Sequence, residues 1–168
     1  MSGTAAPPTY RVQGSDLALT RYAGTPSAAP LMAADSWGSL DIQVVPGGRG
    51  GLPLPGPVQD LGAISGRENL AQALTLRLLT AQGALEQLGH PQCGSRLVTL
   101  IGRSNDQPTR NLARLYVIEA VQQERRVKAL TALSVTPAPG QPDTLQISLT
   151  VQPVNDADPL SLTLDVTL

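Results

Sequence analysis

Residues 145–168 read LQISLTVQPVNDADPLSLTLDVTL, and apolar side chains occupy every second position in both halves of this stretch. A period of two is typical of a β-strand that buries one face and exposes the other. The short polar segment VNDAD, residues 154–158, joins the two halves, so we expect an antiparallel hairpin. The apolar positions are Leu145, Ile147, Leu149 and Val151, followed by Leu160, Leu162, Leu164, Val166 and Leu168.

Residues 127–136 carry a similar pattern upstream of the hairpin. Val127, Ala129, Leu133 and Val135 stand at odd positions, and we expect them to form one face of a third strand. The breaker-rich segment PAPGQPD, residues 137–143, separates this strand from the hairpin. We therefore expect these three strands to form an antiparallel meander.

Two helices are predicted before the sheet. Ser65-Gly66-Arg67-Glu68 matches the S-x-x-E capping box, and NLAQALTLRLLT, residues 69–80, continues it with a wide apolar face that we expect Gly83 to end. A second helix is expected from about residue 109 to residue 123. The fold class is therefore α+β, with two main helices packed on one face of the C-terminal sheet.

The first 57 residues differ in composition from the rest. They are rich in Gly, Pro, Ala and Ser, and they cannot bury enough apolar surface to fold alone. We divide the chain into an N-terminal extension and linker, residues 1–57, and a body, residues 58–168. Within the extension, LDIQVV at residues 40–45 predicts a short strand, and PGGRGGLPLPGP at residues 46–57 predicts a flexible linker.

Charge and composition argue against several classes of partner. The formal net charge is −1, which disfavours nucleic acid, and no apolar run approaches the roughly 20 residues of a membrane span. Cys93 is the single cysteine, so no internal disulfide can form. We expect synthesis and assembly in the cytoplasm, with no nucleic-acid or membrane partner.

The search for catalytic chemistry leaves little. His90 and Cys93 are three positions apart, but a zinc site needs about four ligands and the chain has no second His or Cys. Pro91 and Gly94 beside them indicate a loop. We predict no catalytic residues, no metal site and no cofactor, although a pair of carboxylates for glycoside hydrolysis stays possible in principle.

One polar cluster, Glu124-Arg125-Arg126, stands at the junction of the second helix and the first strand of the sheet. Basic residues near a helix C-terminus interact favourably with the helix dipole, which could explain the cluster without any function. Alternatively, the cluster is a partner-binding corner in which arginine offers a fork to carboxylates or carbonyls of another subunit.

The order of these segments resembles the baseplate-W wedge family (gene-twenty-five-like) of contractile phage tails, type VI secretion and extracellular contractile injection systems. The resemblance covers residues 58–168 and rests on NLAQAL followed by RLLT, a Pro-x-x-Gly-Ser loop, Glu124-Arg125-Arg126-Val127 and the final strands ending in DPLSLTLDV. The family typically has Glu-Pro-Arg at the corner, so this chain keeps the acid and the second arginine and loses the proline. The resemblance does not distinguish between a phage, a secretion apparatus and a released particle as the machine that contains this chain.

The resemblance implies a structural wedge component rather than an enzyme, in a phage virion or a phage-tail-like particle. It implies several copies in a sixfold baseplate, in contact with larger wedge subunits, the sheath protein and, among the candidates, hub or tube-proximal proteins. Some family members carry a lysozyme-like label, so a peptidoglycan hydrolase is one alternative. An interaction module unrelated to tails is another.

The last strand suggests how such a protein would start a sheath. Residues 129–168 contain no Lys or Arg, whereas sheet edges are usually protected by lysine, proline or bulges. In the family, sheath subunits exchange strands, and an open edge could accept one by β-augmentation. We predict a sheath-docking strand at Leu160, Leu162, Leu164 and Val166; the alternative is that LDIQVV of the extension covers this edge.

Overall fold

The computed structural model describes residues 14–21, 40–42, 44–46, 59–154 and 156–168. The predicted α+β class is confirmed: two helices pack on one face of a three-stranded antiparallel sheet. The helices are α1 (Gly66–Leu79) and α2 (Gln107–Gln122), with 3₁₀ turns at Glu86–Leu88 and Leu97–Leu100 between them. The sheet strands are β7 (Val127–Ala138), β8 (Gln141–Pro153) and β9 (Leu160–Thr167), and the short strands before α1 are β1 (Ser15–Leu17), β2 (Leu19–Arg21), β3 (Leu40–Ile42), β4 (Val44–Pro46), β5 (Gln59–Leu61) and β6 (Ala63–Ser65).

The sheet is the predicted meander, in the order β7-β8-β9 with antiparallel pairs throughout. The alternation in the final hairpin confirms which face is apolar, because its core-facing side chains are buried by the helices while Ser and Thr face outward. The fully buried core brings together Leu70, Leu74 and Leu78 of α1, Val117 and Val121 of α2, Leu97 and Leu100, and Leu145, Ile147, Leu149 and Leu164 of the sheet.

The predicted face of β7 is wrong in part. Its pairing with β8 shifts register three times, at residues 127–129, 130–132 and 137–138. A bulge places an extra residue in one strand and so changes which side chains point toward the core. As a result Ala129 is exposed and Leu130 packs against the core instead.

The N-terminal extension contains short strands, as expected for residues 40–45. The predicted strand at residues 40–45 is found as two short strands, β3 (Leu40–Ile42) and β4 (Val44–Pro46), which pair with β2 and β5 respectively, while β1 pairs with β6. In the part of the chain that the structure describes, neither β3 nor β4 pairs with β9, so the alternative in which LDIQVV covers the edge of the C-terminal hairpin is wrong. Pro46, the first residue of the predicted linker, belongs to β4, and the rest of the linker, residues 47–57, lies outside the described residues.

Both predicted helices exist, and their ends differ from expectation. Ser65 occupies the N-cap of α1 but makes no side-chain capping bond, and α1 ends at Leu79 before Gly83 is reached. The helix α2 begins two residues earlier than expected because Asp106 caps it, accepting from the Thr109 N–H at 2.8 Å. Hydrogen bonds from Thr109 lower the pKa of Asp106.

The Pro-x-x-Gly-Ser loop is tied to the end of α1. Ser95 Oγ donates to the Leu78 carbonyl at 2.6 Å, and the Ser95 N–H donates to the Thr80 carbonyl at 2.8 Å. Gly94 has a φ of +106°, and a Cβ there would lie 2.7 Å from the carbonyl oxygens of residues 80 and 81. Only glycine fits this approach, since a side chain would be both strained and in collision.

Candidate functional site: an open sheet edge and a charged corner

The strand β9 forms one edge of the C-terminal sheet. Within the described part of the chain it pairs with β8 alone, in continuous register from Leu160 to Thr167. Its eight residues, LSLTLDVT, contain no Lys, Arg or Pro. The strand therefore lacks the lysine, proline and bulge that often protect a sheet edge from another strand, and Asp165 is its one charged residue.

One backbone bond determines which residues of β9 point off this edge. The Leu168 N–H donates to the Asp143 carbonyl at 2.8 Å, beside the Thr144–Thr167 pair. Pairs in an antiparallel ladder alternate between hydrogen-bonded and non-hydrogen-bonded, so Thr144–Thr167 is non-hydrogen-bonded and its neighbour Leu145–Val166 is bonded. It follows that the free N–H and C=O groups belong to the outward-facing residues Ser161, Thr163, Asp165 and Thr167.

The four residues predicted as the docking strand lie in β9 but face inward. Leu162, Leu164 and Val166 are buried in the core, Leu160 is partly buried, and their backbone groups bond to β8. They hold β9 in place, and a docking strand would meet the alternate residues. That β9 docks a sheath strand stays a prediction.

The outward face of the hairpin is organised by hydroxyl pairs across the strands. Ser148 and Thr163 oxygens lie 3.0 Å apart, those of Thr150 and Ser161 lie 2.9 Å apart, and Thr144 and Thr167 are 3.3 Å apart. Such cross-strand pairs stabilise the register of the hairpin. The strand β9 is thus held by β8 on one side, and no described strand pairs with its other side.

The Glu124 corner is an internal ion-pair cluster. The buried Glu124 carboxylate accepts from Arg126 Nε at 2.8 Å, from Arg126 Nη2 at 3.1 Å and from Arg77 Nη2 of α1 at 3.5 Å. Burial raises the pKa of Glu124, but the hydrogen bonds and charge of Arg126, with the charge of Arg77, outweigh it and the pKa is lowered. The carboxylate therefore stays ionised and ties α1 to the start of β7.

Of the three corner residues, only Arg125 is exposed. It lines an open groove of about 530 Å³, together with Arg77 and Glu124. His90 and Cys93, which the sequence placed in a loop, line the same groove. The corner thus offers Arg125 outward, while Glu124 and Arg126 are engaged with each other.

Within the described ranges, no group of three or more His, Cys, Asp or Glu side chains is placed to hold a metal ion. None of the helices described is long and apolar enough to cross a membrane.

Comparison with known proteins relates the chain to one solved structure in particular. A Geobacter sulfurreducens protein, provisionally named a tail lysozyme, superimposes with a TM-score of 0.52 at 22% identity, over 60% of this chain and 89% of that one. The likeness shows a shared fold. No family model matches the chain, and no curated protein matches it either.

Two arginines were not singled out from the sequence: Arg77 of the Glu124 corner, and Arg67, which pairs with Asp156 at 2.7 Å. Arg77 interrupts the leucines of α1, and a charge within a wide apolar face could have indicated a buried ion pair. Arg67 stands in the first turn of α1, where a cation opposes the helix dipole, and this too is a readable signal. The partners of both residues are distant in sequence, so neither pair could have been assigned in advance.

Proposed function

We propose that this chain is a structural wedge component of a contractile, phage-tail-like injection particle, and that the free edge of β9 receives a strand of the sheath. The observation that carries the proposal is the edge itself: eight residues in unbroken register, with no lysine, arginine, proline or bulge. Backbone groups on such an edge supply affinity to an added strand.

The contrast between the two edge strands supports this choice of edge. The other edge strand, β7, is interrupted by three register shifts and carries Lys128 and Pro137, which are the usual protective features. One edge of the same small sheet is therefore protected and the other is open. This asymmetry is expected if β9 is reserved for a partner.

The Glu124 corner supplies a second contact in the proposal. Glu124 and Arg126, with Arg77, shape the corner from within, and the exposed Arg125 presents its guanidinium to larger wedge subunits. The lost proline of the family pattern corresponds to this outward arginine. Several copies in a sixfold baseplate, with sheath on one side and wedge subunits on the other, complete the proposed arrangement.

The name of the Geobacter protein raises the alternative of a peptidoglycan hydrolase. A glycosidase needs a general acid whose pKa is raised. Glu124 has a lowered pKa and two arginine partners, which makes it unsuited to donate a proton at neutral pH. A cleared band from the purified protein on a peptidoglycan gel would favour the enzyme; an intact gel favours the structural role.

The edge can be tested by blocking it while the backbone hydrogen bonds between β9 and β8 are kept. Thr163→Pro removes one N–H that points off the free edge and no N–H that bonds to β8, and proline is tolerated at such edge positions. Thr163→Val keeps the N–H and is the matched control. Each variant is co-expressed with the wedge and sheath subunits from the same source, and particles are imaged by negative-stain electron microscopy.

We expect full sheaths with Thr163→Val and baseplates without stable sheath with Thr163→Pro. Circular dichroism must show that both variants unfold at similar temperatures, so that loss of sheath reports the edge and not the fold. Full-length sheaths on folded Thr163→Pro would eliminate β9 as the docking edge.

A further inference from the structure

Arg67 connects the start of α1 to the loop that precedes β9. Its Nη1 lies 2.7 Å from Asp156 Oδ2 and 2.8 Å from the Asp158 carbonyl oxygen, and its Nη2 donates to the Pro159 carbonyl at 2.7 Å. Asp156 is 89 residues away in the chain, and its side chain is only 11% exposed. One guanidinium thus binds a carboxylate and two successive carbonyls.

This position of an arginine is not favoured by the helix alone. The first turn of a helix has a partial positive charge and disfavours cations. Arg67 stands in that turn, so its contribution must come from elsewhere. The planar fork of arginine suits three acceptors arranged around it, which the single ammonium of lysine cannot match.

The loop that Arg67 binds is also held from its other side. Gln152 of β8 donates from its side-chain amide to the Asp156 carbonyl, and Asp156 Oδ1 accepts from the Asp158 N–H at 3.0 Å. Asp156 therefore organises the turn, and Arg67 fixes the turn against α1. The last carbonyl that Arg67 binds, that of Pro159, immediately precedes the first residue of β9.

We propose that Arg67 is a positioning residue for the open edge, holding the first residues of β9 in register with β8 so that the N–H groups of Ser161 and Thr163 are aligned for an incoming strand. The inference rests on the proposed docking function of β9, but the positioning itself is a property of the isolated protein. Without the contacts of Arg67, β9 separates from β8 starting at its first residue, and fewer residues of its free edge stay aligned for an incoming strand.

Amide hydrogen exchange of the full chain tests the positioning directly. We compare Arg67→Ala with Arg103→Ala, a control that removes an exposed arginine from the loop before α2. Arg67→Ala should speed exchange of the Leu160 and Leu162 amides at least about tenfold, with little change at Val166 at the far end of β9. Equal acceleration along β8 and β9 would overturn the inference, because it would indicate a general loss of stability.

Two further measurements keep the result interpretable. If Arg67→Ala fails to fold, Arg67→Lys retains the charge and loses the fork, and it should show the same gradient of exchange along β9 at smaller amplitude; a flat profile would overturn the inference. Sheath assembly on the same variants separates the two proposals. If β9 frays but sheaths assemble normally, the docking proposal is contradicted and the positioning role of Arg67 stands. If exchange is unchanged in Arg67→Ala, the positioning role is contradicted, whether or not sheaths assemble.

Discussion

Replacing Glu124 by glutamine probes the ion-pair cluster that joins α1 to β7. Glu124 is 7% exposed, and its carboxylate accepts hydrogen bonds from the N–H, Nε and Nη2 of Arg126 at 3.2, 2.8 and 3.1 Å, and from Arg77 at 3.5 Å. Glutamine nearly preserves the shape but removes the charge and turns an amide NH₂ toward a guanidinium. The change therefore isolates the electrostatic contribution from packing.

The expected cost follows from these contacts. Hydrogen bonds to a charged group contribute about 1.5–3 kcal/mol each, and breaking a fully buried pair costs about 3–5 kcal/mol. The side chains of Arg77 and Arg126 are 17% and 26% exposed, so both can recover part of their hydration. We expect Glu124→Gln to lower the free energy of unfolding by about 2–3 kcal/mol at neutral pH.

The dependence on pH has a definite sign. Because Arg126 and Arg77 hold the pKa of Glu124 below its ordinary value despite burial, the folded state favours the ionised form. Such a carboxyl contributes stability that is present above its unfolded pKa and is lost as the pH falls through its folded pKa. The difference between wild type and Glu124→Gln should therefore be largest near pH 7 and should shrink below about pH 4.

Urea denaturation followed by circular dichroism at pH 7 and pH 3.5 measures both effects. Glu119→Gln is the matched control, since Glu119 pairs with Arg96 at 2.5 Å with side chains 41% and 43% exposed. A pair so exposed should contribute no more than about 1 kcal/mol. Equal losses for the two variants, or a Glu124→Gln deficit that is the same at both pH values, would refute the reasoning.

Two further changes test the loop and the outward side of the corner. Gly94→Ala should lower the free energy of unfolding by about 2–4 kcal/mol, because the new Cβ would lie 2.7 Å from two carbonyl oxygens. Gly102→Ala is the control: its Cβ would meet no atom within 4 Å, and the change should cost only about 1 kcal/mol for the positive φ. Equal drops in melting temperature for the two variants would contradict the close approach at Gly94. Arg125→Glu should leave the unfolding curve unchanged and prevent co-elution with the larger wedge subunits in size-exclusion chromatography. Normal co-elution of this variant would show that Arg125 does not contribute to the interface.

Local patterns predicted the elements correctly where one face of an element is buried by the rest of the protein. The alternation in β8 and β9 and the apolar face of α1 report burial directly, because a side chain's face depends only on its position in the repeat. The same rule failed in β7, where bulges changed the phase at Ala129 and Leu130. A bulge is a property of the pairing between two strands, so the pattern of one strand does not contain it.

The sequence by itself determined the α+β class, the two helices, the meander and the absence of Lys and Arg along the last strand. These features depend on periodicity and composition, which are local. The tertiary structure alone decided that Ser161 and Thr163 present the free backbone groups, that Glu124 is bound by Arg77, and that Arg67 clamps the loop before β9. Each of these rests on the phase of a hydrogen-bond ladder or on partners 47 and 89 residues apart, and chain folding brings them together through packing that no local pattern encodes.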